Sequence, residues 1–264
     1  TEIFEPICGQ IAQLADQYHF NLTWGGDAGQ GSQAESAEKL ARKYIAQNVD
    51  GVFFNPLEGT AEAKPANAKI VDLFSKAGIP VVLLDGEVSD ALDVSTHDLV
   101  GIDNLAAGFA IGSHLLEQGC LKLAFVNRSH VASTVDLRCM GINEAVRRLR
   151  QGMASLNEMN CEGSLDDFAQ EIMDRSVDAV VACNDALAVE LMAAFERRNI
   201  NIPKQLKIAG FDDVKYAKLL KIPLTTYRQP CADIASAAVE MMISRLKNPA
   251  MSPRKVMLLG ELKQ

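Results

Sequence analysis

The sequence predicts an α/β protein built as two doubly wound parallel-sheet lobes joined by three crossovers. Near-continuous apolar runs such as IPVVLLD (79–85) and DAVVACND (178–185) read as strands covered on both faces, as in a parallel sheet between helices. Segments with apolar residues three and four apart alternate with those runs and read as the covering helices. The alternation stops near Asp103 and starts again, which implies two lobes of similar size.

In chain order, Ile7, Ile11, Leu14 and Tyr18 form one apolar stripe of a helix ending near His19. FNLTWGG (20–26) reads as a buried strand, followed by a Gly-rich turn and a second helix marked by Ala37, Leu40, Tyr44 and Ile45. DGVFFNP, a helix around 68–76, IPVVLLD and the short strand LVGID complete the first series. The second series runs through a helix at 104–118, LKLAFVN, helices at 136–150 and 165–175, DAVVACND, a helix at 186–199 and LKIAGFDD. TTYRQ, a helix around 234–246 and KVMLLGELK are too few for a third domain and are expected to return across the lobes. The expected lobes are 1–102 with 230–255, and 103–229 with 256–264. Crossovers are expected near Asp103, Gln229 and Val256. Because the first series opens on a helix, where a doubly wound sheet places its first strand centrally, a strand is expected ahead of Thr1. The stretch 151–164 reads as irregular, with a loop missing from it.

Composition excludes several classes of function. With 264 residues, 48% hydrophobic and 23% charged, the chain is large enough for two ordinary cores and does not read as disordered. Its apolar runs fall short of the roughly 20 residues that cross a bilayer, and TEIFEPICGQ lacks the features of a secretory signal. Cys8, Cys120, Cys139, Cys161, Cys183 and Cys231 are scattered without CxxC spacing, as expected of small buried residues in a reducing cytoplasm. His19, His97, His114 and His130 are isolated, so no metal site and no cofactor is expected. A net charge of −8 disfavours direct contact with a phosphate backbone, so any DNA contact must come from another segment.

The enzyme motifs do not assemble either. Gly26-Asp27-Ala28-Gly29-Gln30-Gly31-Ser32 has the glycine spacing of a phosphate-binding loop but lacks its lysine, and it reads as a flexible turn. There is no GxSxG elbow and no nucleophile signature, so no catalytic residue is assigned. A different regularity stands out. Asp85 ends VVLLD, Asn184 and Asp185 end VVACND, and Asp212 and Asp213 end KIAGFDD. Open parallel sheets bind ligands beyond the carboxyl ends of their strands, where these side chains could converge. They could equally cap the following helices, and the paired ND and DD leave room for both roles.

VVLLDGEVSD, VGIDNLAAGFAIGSHLLEQGCLKLAFVN, TVDLRCMGINEAV, VDAVVACNDALAVELMAAFERRNINIPKQLKIAGFDDV and PLTTYRQP together resemble the LacI/GalR regulators and their periplasmic sugar-binding relatives. They cover most of 80–230 in the family's order, and the likeness reaches back to TEIFEPICGQIAQLADQYHFNL. The resemblance implies a periplasmic binding protein-like fold of type I. It also implies residue roles: Asp85 accepts sugar hydroxyls from the first lobe. Arg138, in the family's Arg-x-x-Gly, donates a fork of hydrogen bonds. Asn184 and Asp212 are second-lobe contacts, and Gln229 is polar at a crossover. Phe4 stacks on the sugar's apolar face, and Thr1 stands where relatives often carry Asn. Away from a ligand, Arg138 could be a solvated helix residue, Phe4 core filling and Gln229 an ordinary crossover bond.

The function so implied is the effector-sensing domain of a bacterial, sugar-responsive transcription regulator, cytoplasmic and homodimeric. A small sugar or sugar derivative would bind between the lobes, and operator DNA would be contacted through a helix-turn-helix outside this chain. The alternative is a periplasmic sugar-binding protein of an ABC transporter. The separate cysteines and the segment LAVELMAAFERRNINIPKQLKIAGFDDV favour the regulator. The apolar residues of 186–199 and 214–220 suggest the dimer surface.

Overall fold

The computed structural model describes residues 3–25, 32–90 and 96–264. The chain opens on α1 (Phe4–Tyr18), α2 (Gln33–Ala46), β1 (Val52–Phe54), α3 (Ala63–Lys76), β2 (Val81–Leu84) and β3 (Asp98–Ile102). It continues through α4 (Asn104–Glu117), β4 (Lys122–Asn127), α5 (Ser133–Leu149), β5 (Ser155–Asn160), α6 (Leu165–Asp174), β6 (Ala179–Ala182), α7 (Asp185–Arg197) and β7 (Lys207–Asp212). A 3-10 turn at Lys215–Leu219 precedes β8 (Thr225–Arg228), α8 (Cys231–Lys247), β9 (Lys255–Leu258) and β10 (Glu261–Lys263).

Local chemistry sets several of these boundaries. Ser32 and Glu35 form a reciprocal capping box at the start of α2. Asp103 caps α4 by accepting from the Ala106 N–H at 2.8 Å. His19 ends α1 in the left-handed conformation at φ 58°, its N–H bonded to the Ala15 carbonyl.

The strands form two sheets. The first has the order β1-β2-β3-β9 and is parallel. The second has the order β10-β8-β7-β6-β4-β5, parallel except for β10 at one edge. Alternation along the first sheet divides its apolar side chains between its two faces. Val82, Leu84, Val100 and Ile102 join the main core with α1, α4 and α8. Val81, Leu83 and Leu99 join a smaller core with Ile70, Val71 and Phe74 of α3. Both faces of β2 and β3 are covered, which is why β2 is apolar throughout and β3 carries apolar side chains after Asp98.

The chain passes from first sheet to second after β3, back through α8 into β9, and out again to β10. Asp98 on β3 receives two bonds from the Arg245 guanidinium, at 2.8 and 2.9 Å, and a third from the Arg254 N–H at 2.8 Å. That carboxylate ties α8 and the entry to β9 onto the first sheet.

Three sequence expectations change. Residues 20–25 form no strand: Phe20 and Leu22 pack against the core, whereas Trp24 is 55% exposed. A ladder partner for this segment is not among the described residues, and an unpaired strand leaves its backbone groups to water. Gly26 and the rest of the glycine turn through Gly31 lie outside the described residues. The stretch expected to be irregular contains β5, a mostly polar edge strand paired with β4 from Lys122↔Ser155 to Asn127↔Asn160. Its polar faces hid it, because an edge strand is only half covered. Finally, the chain leaves the first sheet after Leu258 rather than near Val256, since β9 stays in register with β3 through Ile102↔Leu258.

Candidate functional site

Strand ends supply the site. Asp85 follows β2 at φ 69°, and its N–H donates to the Val100 carbonyl at 2.9 Å. Gly101 lets this turn lie against β3, since a β-carbon there would sit 2.8 Å from the Asp85 carbonyl oxygen. The Asp85 carboxylate is buried and its Oδ1 has no hydrogen-bond partner among the described residues. Burial foremost pushes this carboxyl up to about 6; Asp212 and Glu58 add to the rise, and Arg138 opposes it.

Arg138 projects from α5 into the interior and is only 4% exposed. Its Nε donates to Asn104 Oδ1 at 2.8 Å and its Nη1 to the Cys183 carbonyl at 2.7 Å. The guanidinium lies 4.6 Å from the centre of the Phe211 ring, and Nη2 faces Asp212 Oδ1 at 3.6 Å. Two donors of the fork expected to meet ligand are therefore engaged by the protein itself. The solvated-helix alternative for Arg138 is ruled out by its burial.

Asp212 ends β7 at φ 112°. Gln229 Nε2 donates to Asp212 Oδ1 at 2.8 Å, while Gln229 Oε1 is buried without a partner among the described residues. Behind them, Asp185 is fully buried and accepts from Thr226 Oγ1 at 2.8 and 2.9 Å and from the Val214 N–H at 3.1 Å. Asp213 accepts from Arg228 Nε at 2.8 Å. The DD pair thus divides, with Asp212 toward Arg138 and Asp213 toward the neighbouring strand.

Asn184 caps α7, its Oδ1 accepting from the Leu187 N–H at 2.9 Å. Phe4 opens α1 half-buried against the main core, beside Glu5, which reaches Lys215 at 3.5 Å. Thr1 lies outside the described residues. The structure therefore joins Arg138, Asp212 and Gln229 by direct contacts, with Asp85 within electrostatic reach of Arg138 and Asp212. Sequence reasoning missed Asn104, Phe211, Glu58 and Asn127. Asn127 ends β4 with its Nδ2 donating to Glu158 at 3.0 Å and its buried Oδ1 without a partner among the described residues. Their one sequence signal was position at or just past a strand end. Among the described residues, no cluster of three or more His, Cys, Asp or Glu side chains could hold a metal, and no helix is long and apolar enough to cross a membrane.

The sequence profile of the periplasmic binding protein-like domain matches residues 113–264. The chain belongs to this family. The ribose operon repressor of Haemophilus influenzae is 24% identical to this periplasmic binding protein-like chain over 97% of its length and 74% of the repressor. The ribose operon repressor of Escherichia coli is 24% identical over 68% of the chain and 55% of that protein. The chain thus spans 74% and 55% of the length of these two repressors. Among solved structures, transcription regulator CcpA of Lactococcus lactis superposes with a TM-score of 0.82 at 20% identity, covering 100% of this chain and 93% of that one. A LacI family regulator from Enterococcus faecium with bound ribose gives 0.77 at 22% identity, with the same coverage. These likenesses agree in the α/β fold with two parallel sheets.

Proposed function

We propose that this chain is the effector-sensing domain of a bacterial transcription regulator and binds a small sugar or sugar derivative between two lobes. The observation that carries this reading is the polar constellation of Asp85, Arg138, Asp212 and Gln229, in which buried acceptors of Asp85 and Gln229 have no partner among the described residues. A buried acceptor left unmade is costly, so such atoms suit a ligand rich in hydroxyl donors. Relatives named as ribose operon and PurR repressors support the regulatory role, and structures with bound ribose and cellobiose support the ligand class.

The first lobe is taken as the residues through Ile102 with 230–258, and the second as 103–229 with the remaining C-terminal residues. Asp85 then comes from one lobe and Arg138, Asp212 and Gln229 from the other or its crossover. Phe4 and Asn184 are retained as further ligand contacts, Asn184 through its amide nitrogen. A ligand that touches both lobes selects one relative orientation. In a homodimer that selection would reset the spacing of linked helix-turn-helix modules on operator DNA. Coupling of about 1–3 kcal/mol makes a usable switch. A cytoplasmic location is proposed from the six free thiols.

The test is a mobility shift of operator DNA by the full-length gene product, with and without a panel of sugars. One sugar is expected to change DNA affinity by roughly thirtyfold, the middle of that coupling range. DNA binding indifferent to every sugar that the domain binds in calorimetry would sink the regulatory reading.

A further inference from the structure

We infer that the effector is an uncharged, hydroxyl-rich sugar, and that the site rejects phosphate esters and aldonic acids of the same carbon skeleton. This rests on the sugar-sensing reading above and adds a charge rule to it.

The rule follows from which charges stand around the constellation. Arg138 is the one guanidinium among the four site residues, and it already faces Asp212 Oδ1 at 3.6 Å while Asn104 and Cys183 hold two of its donors. Glu58 adds negative potential at both Asp85 and Cys183. The next cation felt at Cys183 is Arg128, and it is paired with Glu190. An anionic ligand would therefore meet the negative charges of Asp85, Asp212 and Glu58 against one site cation, Arg138, which already faces Asp212.

Hydrogen-bond polarity points the same way. Within the constellation, the buried atoms left without a partner among the described residues are Asp85 Oδ1 and Gln229 Oε1, both acceptors, while one N–H of the Gln229 amide is given to Asp212. A hydroxyl donates to such atoms. A phosphate or carboxylate offers only acceptors, and acceptor against buried acceptor leaves both unsatisfied. Like-charge juxtaposition in a water-poor site costs enough to weaken binding by about 100-fold or more.

Calorimetry on this chain with D-ribose and D-glucose, their 5- and 6-phosphates, and D-ribonate and D-gluconate tests the rule. The expected result is that a neutral sugar binds and both of its anionic derivatives bind about 100-fold more weakly. Asp85→Asn is expected to weaken the neutral sugar and to narrow its advantage over the phosphate ester. An anion that binds as tightly as its neutral parent would overturn the charge rule and leave the sugar reading intact. Silence from all six compounds and from a panel of other neutral mono- and disaccharides, cellobiose included, would overturn the sugar reading, and the charge rule with it.

Discussion

Asp185 shows what a single buried carboxylate does beneath this site. Burial foremost, then Asp212 and Asp213, push it up to about 7, against the pull of its Thr226 and Val214 bonds. An unfolded carboxyl releases its proton near 3.8, so between these values the folded chain holds more protons. The stability gained from that proton is complete below the lower value and is lost as pH climbs through the upper one. From pH 5 to 8 the loss is expected to be roughly 2–3 kcal/mol. Asp185→Asn should flatten that part of the slope in urea unfolding, whatever its effect at one pH; equal slopes in the two chains would refute the assignment. Residue identities were partly legible beforehand. Asp85 and Asp212 stood out by ending strands, but Arg138 as a buried partner of Asn104 did not, because that contact joins residues 34 positions apart.

At the scale of elements, the crossing of α4 and α5 explains a glycine in the Arg-x-x-Gly segment. A β-carbon on Gly141 would lie 2.1 Å from the Leu105 carbonyl oxygen and 2.7 Å from the Phe109 nitrogen. Gly108 meets the Arg138 carbonyl in the same way, at 2.0 Å. The two helix backbones touch, and that contact sets Arg138 within reach of Asn104 at the start of α4. Obstruction by backbone cannot be relieved by a rotamer change. Gly141→Ala is therefore expected to destabilise the chain by roughly 2–3 kcal/mol in chemical denaturation. An unchanged midpoint would show that the helices can part without consequence. Helix positions were readable from spacing, whereas β5 was not, since a polar edge strand lacks the apolar run that marks its neighbours.

Across the whole molecule, the two sheets meet at contacts that depend on their relative orientation. Gly59, after β1, donates its N–H to the His130 carbonyl, after β4, at 2.7 Å, and both residues have positive φ. Space at Gly59 is open, so a methyl group there meets no atom within 4 Å and acts only through backbone strain at φ 83°. Such strain costs about 1–2 kcal/mol in a non-glycine residue. If this bond belongs to the ligand-bound orientation, Gly59→Ala should weaken sugar binding by roughly five- to thirtyfold. The ligand-free unfolding midpoint should shift little, because the loop relaxes when the sheets part. Wild-type sugar affinity in that variant would mean that the contact is indifferent to closure.

What the amino-acid order determined by itself was the alternation of strand and helix, the restart near Asp103 and the polar residues at strand ends. All three follow from local periodicity and the need to cover parallel strands on both faces. Tertiary structure alone decided which of those polar residues meet: Asp212 with Arg138 and Gln229, Asn184 with its own helix, Asp185 with Thr226 and Val214. It also decided that the Phe20–Gly25 segment does not become a strand and that β9 holds the first sheet to Leu258. Those outcomes depend on which backbone or charge lies opposite, and partners distant in sequence leave no periodic trace in it.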